Sequence, residues 1–231
     1  HPEIVTYSSI FQFLTRIGAI FYFILGSYLL MSKICRRFNC IKNIILFTLT
    51  ITSTNVVSYI AFDSCFSHIY SFAFVCILIS YLINYFSENT INFFHIGFIL
   101  GFLFIIRNTN IIFIALLFPV FWGNYKLLNF KNLISFLIPF FIIVLPQLIY
   151  NYSGSGKILF SAYSNLGNNF DKLSKPDIFN VLFSVNYGWF FWCPICLFSI
   201  FIGILNVKLN KGIKLILYIS YYMRKTITKL A

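Results

Sequence analysis

The sequence predicts an all-α polytopic membrane protein, a single transmembrane domain over residues 1–231 with about seven membrane segments. Three observations carry this. First, 60% of the residues are hydrophobic and only 10% charged, and mean hydropathy is +0.88; water-soluble domains carry about 25% charged residues. Second, apolar runs of about 18–20 residues recur, each enough to cross a hydrocarbon layer ~30 Å thick. Third, the basic residues behind the net charge of +12 fall singly between these runs. No basic stripe with interleaved aromatics follows a phosphate backbone, which excludes a nucleic-acid partner. The scatter matches instead the bias of loops held on the cytoplasmic side.

The elements follow in order. His1–Ser9 is short and polar, and Ile10–Met31 is the first span. It has no basic n-region, so it is not a signal peptide. A chain that starts at His1 so close to a full span is expected to be the later part of a longer protein. Ser32–Lys42 holds Lys33, Arg36, Arg37 and Lys42, the densest basic loop, and is assigned inside. The second and third spans, Asn43–Phe62 and Ile69–Phe86, then meet outside at Asp63-Ser64-Cys65-Phe66-Ser67-His68. Polar groups at that depth are expensive to hold, which makes Asp63, Ser67 and His68 candidates for function. An interfacial turn needs polar residues in any case.

Phe93–Trp122 is apolar for about thirty residues, interrupted by Arg107-Asn108-Thr109-Asn110. One straight helix would be ~45 Å long and overshoot the bilayer by half. Two arms of about fourteen residues, ~21 Å each, would instead meet at Arg107. Charge favours this short-armed hairpin. It gathers Lys33, Arg36, Arg37, Lys42, Lys126, Lys131, Lys208, Lys211 and Lys214 inside, against Arg107, Lys157, Lys172 and Lys175 outside. Arms that short leave Arg107 in a protein-lined recess below the surface.

Leu133–Tyr150 is the next span, with Pro139 and Pro146 expected to kink it. Residues 151–187 form the long extracytoplasmic loop. Its Gly156-Lys157 pair is not a P-loop, because Ile158 replaces the hydroxyl residue and Asn151 the first glycine. Pro176-Asp177 reads as a helix start, and Ile178, Val181 and Leu182 share a face, which predicts a short interfacial helix. Trp189–Asn206 is the last full span, and Leu215–Met223 is too short to cross. The six cysteines make no disulfide framework, and Cys193-Pro194-Ile195-Cys196 lies in an apolar run. No metal site and no cofactor are expected.

Four stretches resemble one family. Thr54–Tyr59 through Phe66-Ser67-His68-Ile69-Tyr70-Ser71-Phe72 resembles the "SHxYSF" turn of GT-C membrane glycosyltransferases. These are the relatives of dolichyl-phosphate-mannose protein mannosyltransferases and bacterial lipid-A sugar transferases. Gly97–Gly101 to Ile106–Asn110 is similar to the "GxxxG…RPTN" hairpin, with Asn108 where proline is usual. Pro146–Tyr150 is similar to "PQxxY", and Ser184–Pro194 to "SPxxGLFxWxP", with Val185 and Trp189 departing. The matches fall in the family's order.

The resemblance implies a GT-C-like fold and a hexosyltransferase of the extracytoplasmic face. It would move a sugar from a polyprenyl-phosphate donor to a glycan, lipid or protein acceptor, with membrane lipid as its other partner. Arg107 would hold the donor phosphate, and its planar fork suits that role. His68, beside Ser67, would donate a hydrogen bond to the phosphate or move a proton. Asn186, Tyr187 and Trp189 would supply hydrogen bonds and a stacking face for the sugar. The family's catalytic carboxylate follows a first span and is expected upstream of His1, with Asp63 as the fallback. The fragment is therefore expected to be inactive alone. On the residues themselves, Arg107 is equally a helix-end cation bonding carbonyls, and His68 an interfacial cap. The rival class is a non-catalytic polytopic protein, a transporter or lipid-linked-sugar flippase. A transporter would show paired broken helices in symmetric halves, and only one broken element is visible.

Single-cysteine labelling tests the topology. An impermeant reagent added from outside is expected to reach a cysteine at Ser155 and not one at Asn210. The reverse pattern contradicts the hairpin and the orientation together.

Overall fold

The computed structural model describes residues 9–36, 39–88, 90–156, 178–185 and 188–205. All regular structure among them is helical, with no strand. The helices are α1 (Ser9–Cys35), α2 (Cys40–Thr52), α3 (Val56–Ala61), α4 (His68–Glu88) and α5 (Phe93–Ile106). A 3₁₀ arm (Asn108–Leu117), α6 (Phe118–Gly123) and a 3₁₀ turn (Tyr125–Leu127) follow. Next come α7 (Phe130–Ser155), α8 (Ile178–Phe183), α9 (Trp189–Trp192) and α10 (Pro194–Leu205). Three segments are long and apolar enough to cross a membrane: Ser9–Cys35, His68–Tyr85 and Phe130–Gly154. The protein is therefore an integral membrane protein built on at least three spanning helices.

The run Asn43–Phe62 is not one span. It breaks at Ser53–Asn55 into α2 and α3. The cause is a cluster of hydroxyl residues that hydrogen-bond back onto the helix: Thr50 Oγ1 donates to the Leu46 carbonyl at 2.8 Å, and Thr52 Oγ1 to that of Thr48 at 3.0 Å. Such back-bonding bends helices and loosens their continuation. The chain still returns alongside α1, since α2 and α3 both pack against it.

The run Phe93–Trp122 folds back on itself. The rings of Phe93 and Phe121 stack with centroids 5.8 Å apart and planes 6° from parallel, which a straight helix between them forbids. The second arm is mostly 3₁₀ rather than α. A 3₁₀ helix rises ~2.0 Å per residue, so its ten residues cover ~20 Å, close to the ~21 Å of the fourteen-residue α5. The core of the protein surrounds this hairpin: Leu78 and Leu82 of α4, Ile96, Leu100 and Leu103 of α5, and Leu117 and Val120 of the returning arm are buried together.

Two span boundaries are corrected. α7 is helical from Phe130 to Ser155, with Pro139 and Pro146 inside it, so residues 151–155 extend the helix beyond Leu133–Tyr150. It ends at Gly156, whose φ of 67° is the left-handed cap that glycine adopts without penalty. The span Trp189–Asn206 is also interrupted, at Cys193. Pro194 has no N–H to give and its ring crowds the carbonyl four residues back, so a new helix starts there. Residues 215–223 lie outside the described residues.

Small residues set the helix contacts. A Cβ on Gly26 of α1 would sit 2.8 Å from the Ala73 Cα of α4. On Gly97 of α5 it would collide with the Phe136 carbonyl oxygen of α7 and come within 2.9 Å of Pro139 Cγ; on Gly101 it would lie 3.0 Å from Ile143 Cβ. Close approach over small side chains is how apolar helices gain dispersion contact when lipid removes the hydrophobic drive. The outer stripe of α1, with Ile10, Phe13, Leu14, Ile17, Phe21 and Ile24, is exposed, as suits a lipid-facing surface.

Gly97→Ala is accordingly expected to destabilise the protein by about 1–3 kcal/mol through overpacking. Gly18→Ala, whose nearest neighbour is Tyr70 Oη at 3.6 Å, is expected to be near neutral. Denaturation in mixed micelles reads the difference, and equal stability of the two variants contradicts the α5–α7 contact.

Candidate functional site

The polar residues gather at the tip of the hairpin. Arg107 closes α5 in an extended conformation, its N–H donating to the Leu103 carbonyl at 3.2 Å and its carbonyl accepting the Asn110 N–H at 2.9 Å. This is a tight reversal in which the N–H and carbonyl of Arg107 are both paired. Asn110 fixes the tip. Its side chain is buried, and Nδ2 donates to Ser71 Oγ of α4 at 2.8 Å and to the Leu103 carbonyl of α5 at 3.0 Å. One amide thus joins the returning arm to both neighbouring helices.

That fixation brings Arg107 to the start of α4. Its Nη1 lies 3.3 Å from His68 Nδ1. A guanidinium carries only donors, so Nδ1 accepts and the ring is the neutral tautomer with its proton on Nε2. In that tautomer the other ring nitrogen, Nε2, carries a hydrogen-bond donor. Tyr59 of α3 stacks on it, with centroids 4.2 Å apart and planes 28° from parallel. The remaining guanidinium N–H groups meet no protein acceptor among the described residues. Both side chains are half-buried.

Ser67 and Asp63 flank the pair on the turn before α4, each half-buried. The Ser67 carbonyl accepts the Ser71 N–H at 3.0 Å, which starts α4. Asp63 forms no ion pair with Arg107 or His68 among the described residues, so the pairing across the recess is histidine to arginine. The turn is held down by Tyr70 Oη, which donates to the Ser64 carbonyl at 3.4 Å, and by Thr15 Oγ1 of α1, 3.4 Å from Cys65 Sγ. Trp189 lies in α9, and its side chain is outside the described residues, as are Asn186 and Tyr187. The structure thus joins His68 and Arg107, with Ser67 and Asp63 beside them.

Tyr59 and Ser71 carry no sign of their roles in the sequence as isolated positions, because each acts through a residue distant along the chain. Arg16 is a further cation at this end of α1: it is exposed and adjoins Thr15. A basic residue so far inside an apolar run was the available signal. Among the described residues no three histidine, cysteine, aspartate or glutamate side chains come together as a metal set. His95 of α5 places Nδ1 3.4 Å from Tyr81 Oη, whose oxygen also accepts the Asn92 N–H at 2.9 Å. Comparison with protein-family models, with curated proteins and with solved structures finds no match to this chain.

Proposed function

We propose that this chain is a unit of a membrane glycosyltransferase of the GT-C kind, with about seven membrane segments. It takes a sugar from a polyprenyl-phosphate donor on the extracytoplasmic face and passes it to a glycan, lipid or protein acceptor. The observation that carries the reading is the Arg107–His68 pair. It sits at the tip of a largely apolar hairpin, with donor groups from two helices converging and most of the guanidinium without an acceptor among the described residues. A cation held below a membrane surface is costly unless an anion or water meets it, and a lipid-linked phosphate arrives at that depth.

In this reading the guanidinium takes two phosphate oxygens through its planar fork. His68 donates Nε2–H to a further oxygen, and Tyr59 keeps the ring in plane. These bonds strengthen as the bond from sugar to phosphate oxygen breaks and charge collects on the phosphate. The acceptor hydroxyl must lose its proton to a carboxylate. Asp63, the acid nearest the pair along the turn, is the fallback for that role. Ser67 borders the same recess, and Asn186, Tyr187 and Trp189 are assigned to the sugar.

Donor binding tests this. With the chain in nanodiscs, Arg107→Lys keeps the charge but loses the fork, and a lost charge-assisted bond costs about 1.5–3 kcal/mol. Affinity for polyprenyl phosphate is expected to fall on the order of tenfold or more, with folding little changed. Unchanged affinity would leave Arg107 a structural cation and favour a non-catalytic transporter or flippase.

A further inference from the structure

The opposite end of the hairpin holds a separate cleft. Its volume is about 430 Å³, and it lies where the base of the hairpin meets the start of α7. Phe93, Ile114, Leu117 and Phe121 wall one side, and Phe130 and Phe136 the other. The two asparagines at its edge spend their amides on the chain. Asn129 Oδ1 accepts the Asn132 N–H at 2.8 Å, Asn129 Nδ2 donates to the Lys126 carbonyl at 3.2 Å, and Asn132 Nδ2 donates to the Leu127 carbonyl at 2.9 Å. The walls therefore present an apolar surface, and a cavity so lined does not hold water. Ile114 and Phe130 are also exposed at its mouth, so the cleft opens on the surface that faces lipid.

Two lysines stand next in sequence to residues that line the cleft. Lys126 adjoins Leu127, and Lys131 adjoins Phe130, both of which line the cleft; both lysines are exposed. No acidic residue occurs between Glu88 and Asp171, so this stretch carries no carboxylate to offset them. Lys131 also falls in the first turn of α7, where the helix dipole disfavours a cation. Among the described residues the two charges form no ion pair, and Lys131 gains nothing from the helix dipole.

We infer that this cleft seats one acyl tail of an anionic phospholipid, with Lys126 and Lys131 meeting its headgroup. The site is independent of the phosphate recess at Arg107 and does not rest on the glycosyltransferase reading. An uncharged lipid would fill the apolar volume but leave the lysines without a partner. Each basic side chain near an anionic headgroup favours it by roughly fivefold, so the pair predicts a preference of roughly twenty-five-fold over a zwitterionic lipid of the same tails.

The test uses the full chain in detergent with phosphatidylglycerol or phosphatidylcholine that carries a photoreactive group in one tail. Crosslinks are expected within residues 114–136, roughly twenty-five-fold stronger for phosphatidylglycerol. Lys126→Gln with Lys131→Gln is expected to remove the preference and keep the location. Ile114→Trp, at an exposed position of the wall, is expected to lower both. Equal labelling by the two lipids overturns the proposal. So does labelling spread evenly over the exposed stripe of α1, or a chain-to-chain crosslink at the cleft.

Discussion

The structure depends on the reversal at Arg107. An apolar run of ~45 Å cannot lie straight across ~30 Å of hydrocarbon without driving one end into water. Folding it halves the length but places a bend, with backbone groups and an arginine, at membrane depth. Unpaired backbone groups there would cost several kcal/mol each. The bend is viable because Leu103 accepts from both Arg107 and Asn110, and because Ser71 and His68 on α4 receive the two side chains.

Magnitudes show which of these contacts holds the fold and which shapes the site. Side-chain hydrogen bonds between membrane helices average only ~0.6 kcal/mol, with a maximum of ~1.7. The Asn110 latch and the Arg107–His68 contact therefore do not outweigh packing. The larger share lies in the apolar hairpin interior and in the glycine contacts of α5 with α7. What the polar contacts contribute is register: they fix which residue stands at the tip. A shift of the bend by one position would take Arg107 away from His68 and leave Asn110 facing lipid.

Much of this was legible in the sequence, for reasons that differ by element. The hairpin follows from length and charge, since Phe93–Trp122 is too long for one crossing and Arg107 interrupts it midway. The approach of His68 to Arg107 was foreshadowed by their placement at the same predicted surface. Periodicity did not show the break at Ser53–Asn55, because threonine counts as mildly apolar while its hydroxyl competes for helix carbonyls. Nor did it show the 3₁₀ form of the returning arm, whose ten residues nearly match the depth of α5. The contact of His68 Nδ1 with Arg107 at 3.3 Å needed the structure. Asp63 as a base, and Asn186, Tyr187 and Trp189 as sugar contacts, rest on the resemblance and on chemistry.

The reversal itself can be measured by placing spin labels at Phe94 and Tyr125, both exposed residues near the base of the two arms. Pulsed dipolar spectroscopy in nanodiscs then reads their separation. The folded arrangement predicts a distance below about 25 Å, allowing for the label arms. A continuous helix between the two positions would set them ~46 Å apart, and a distribution centred there would contradict the account.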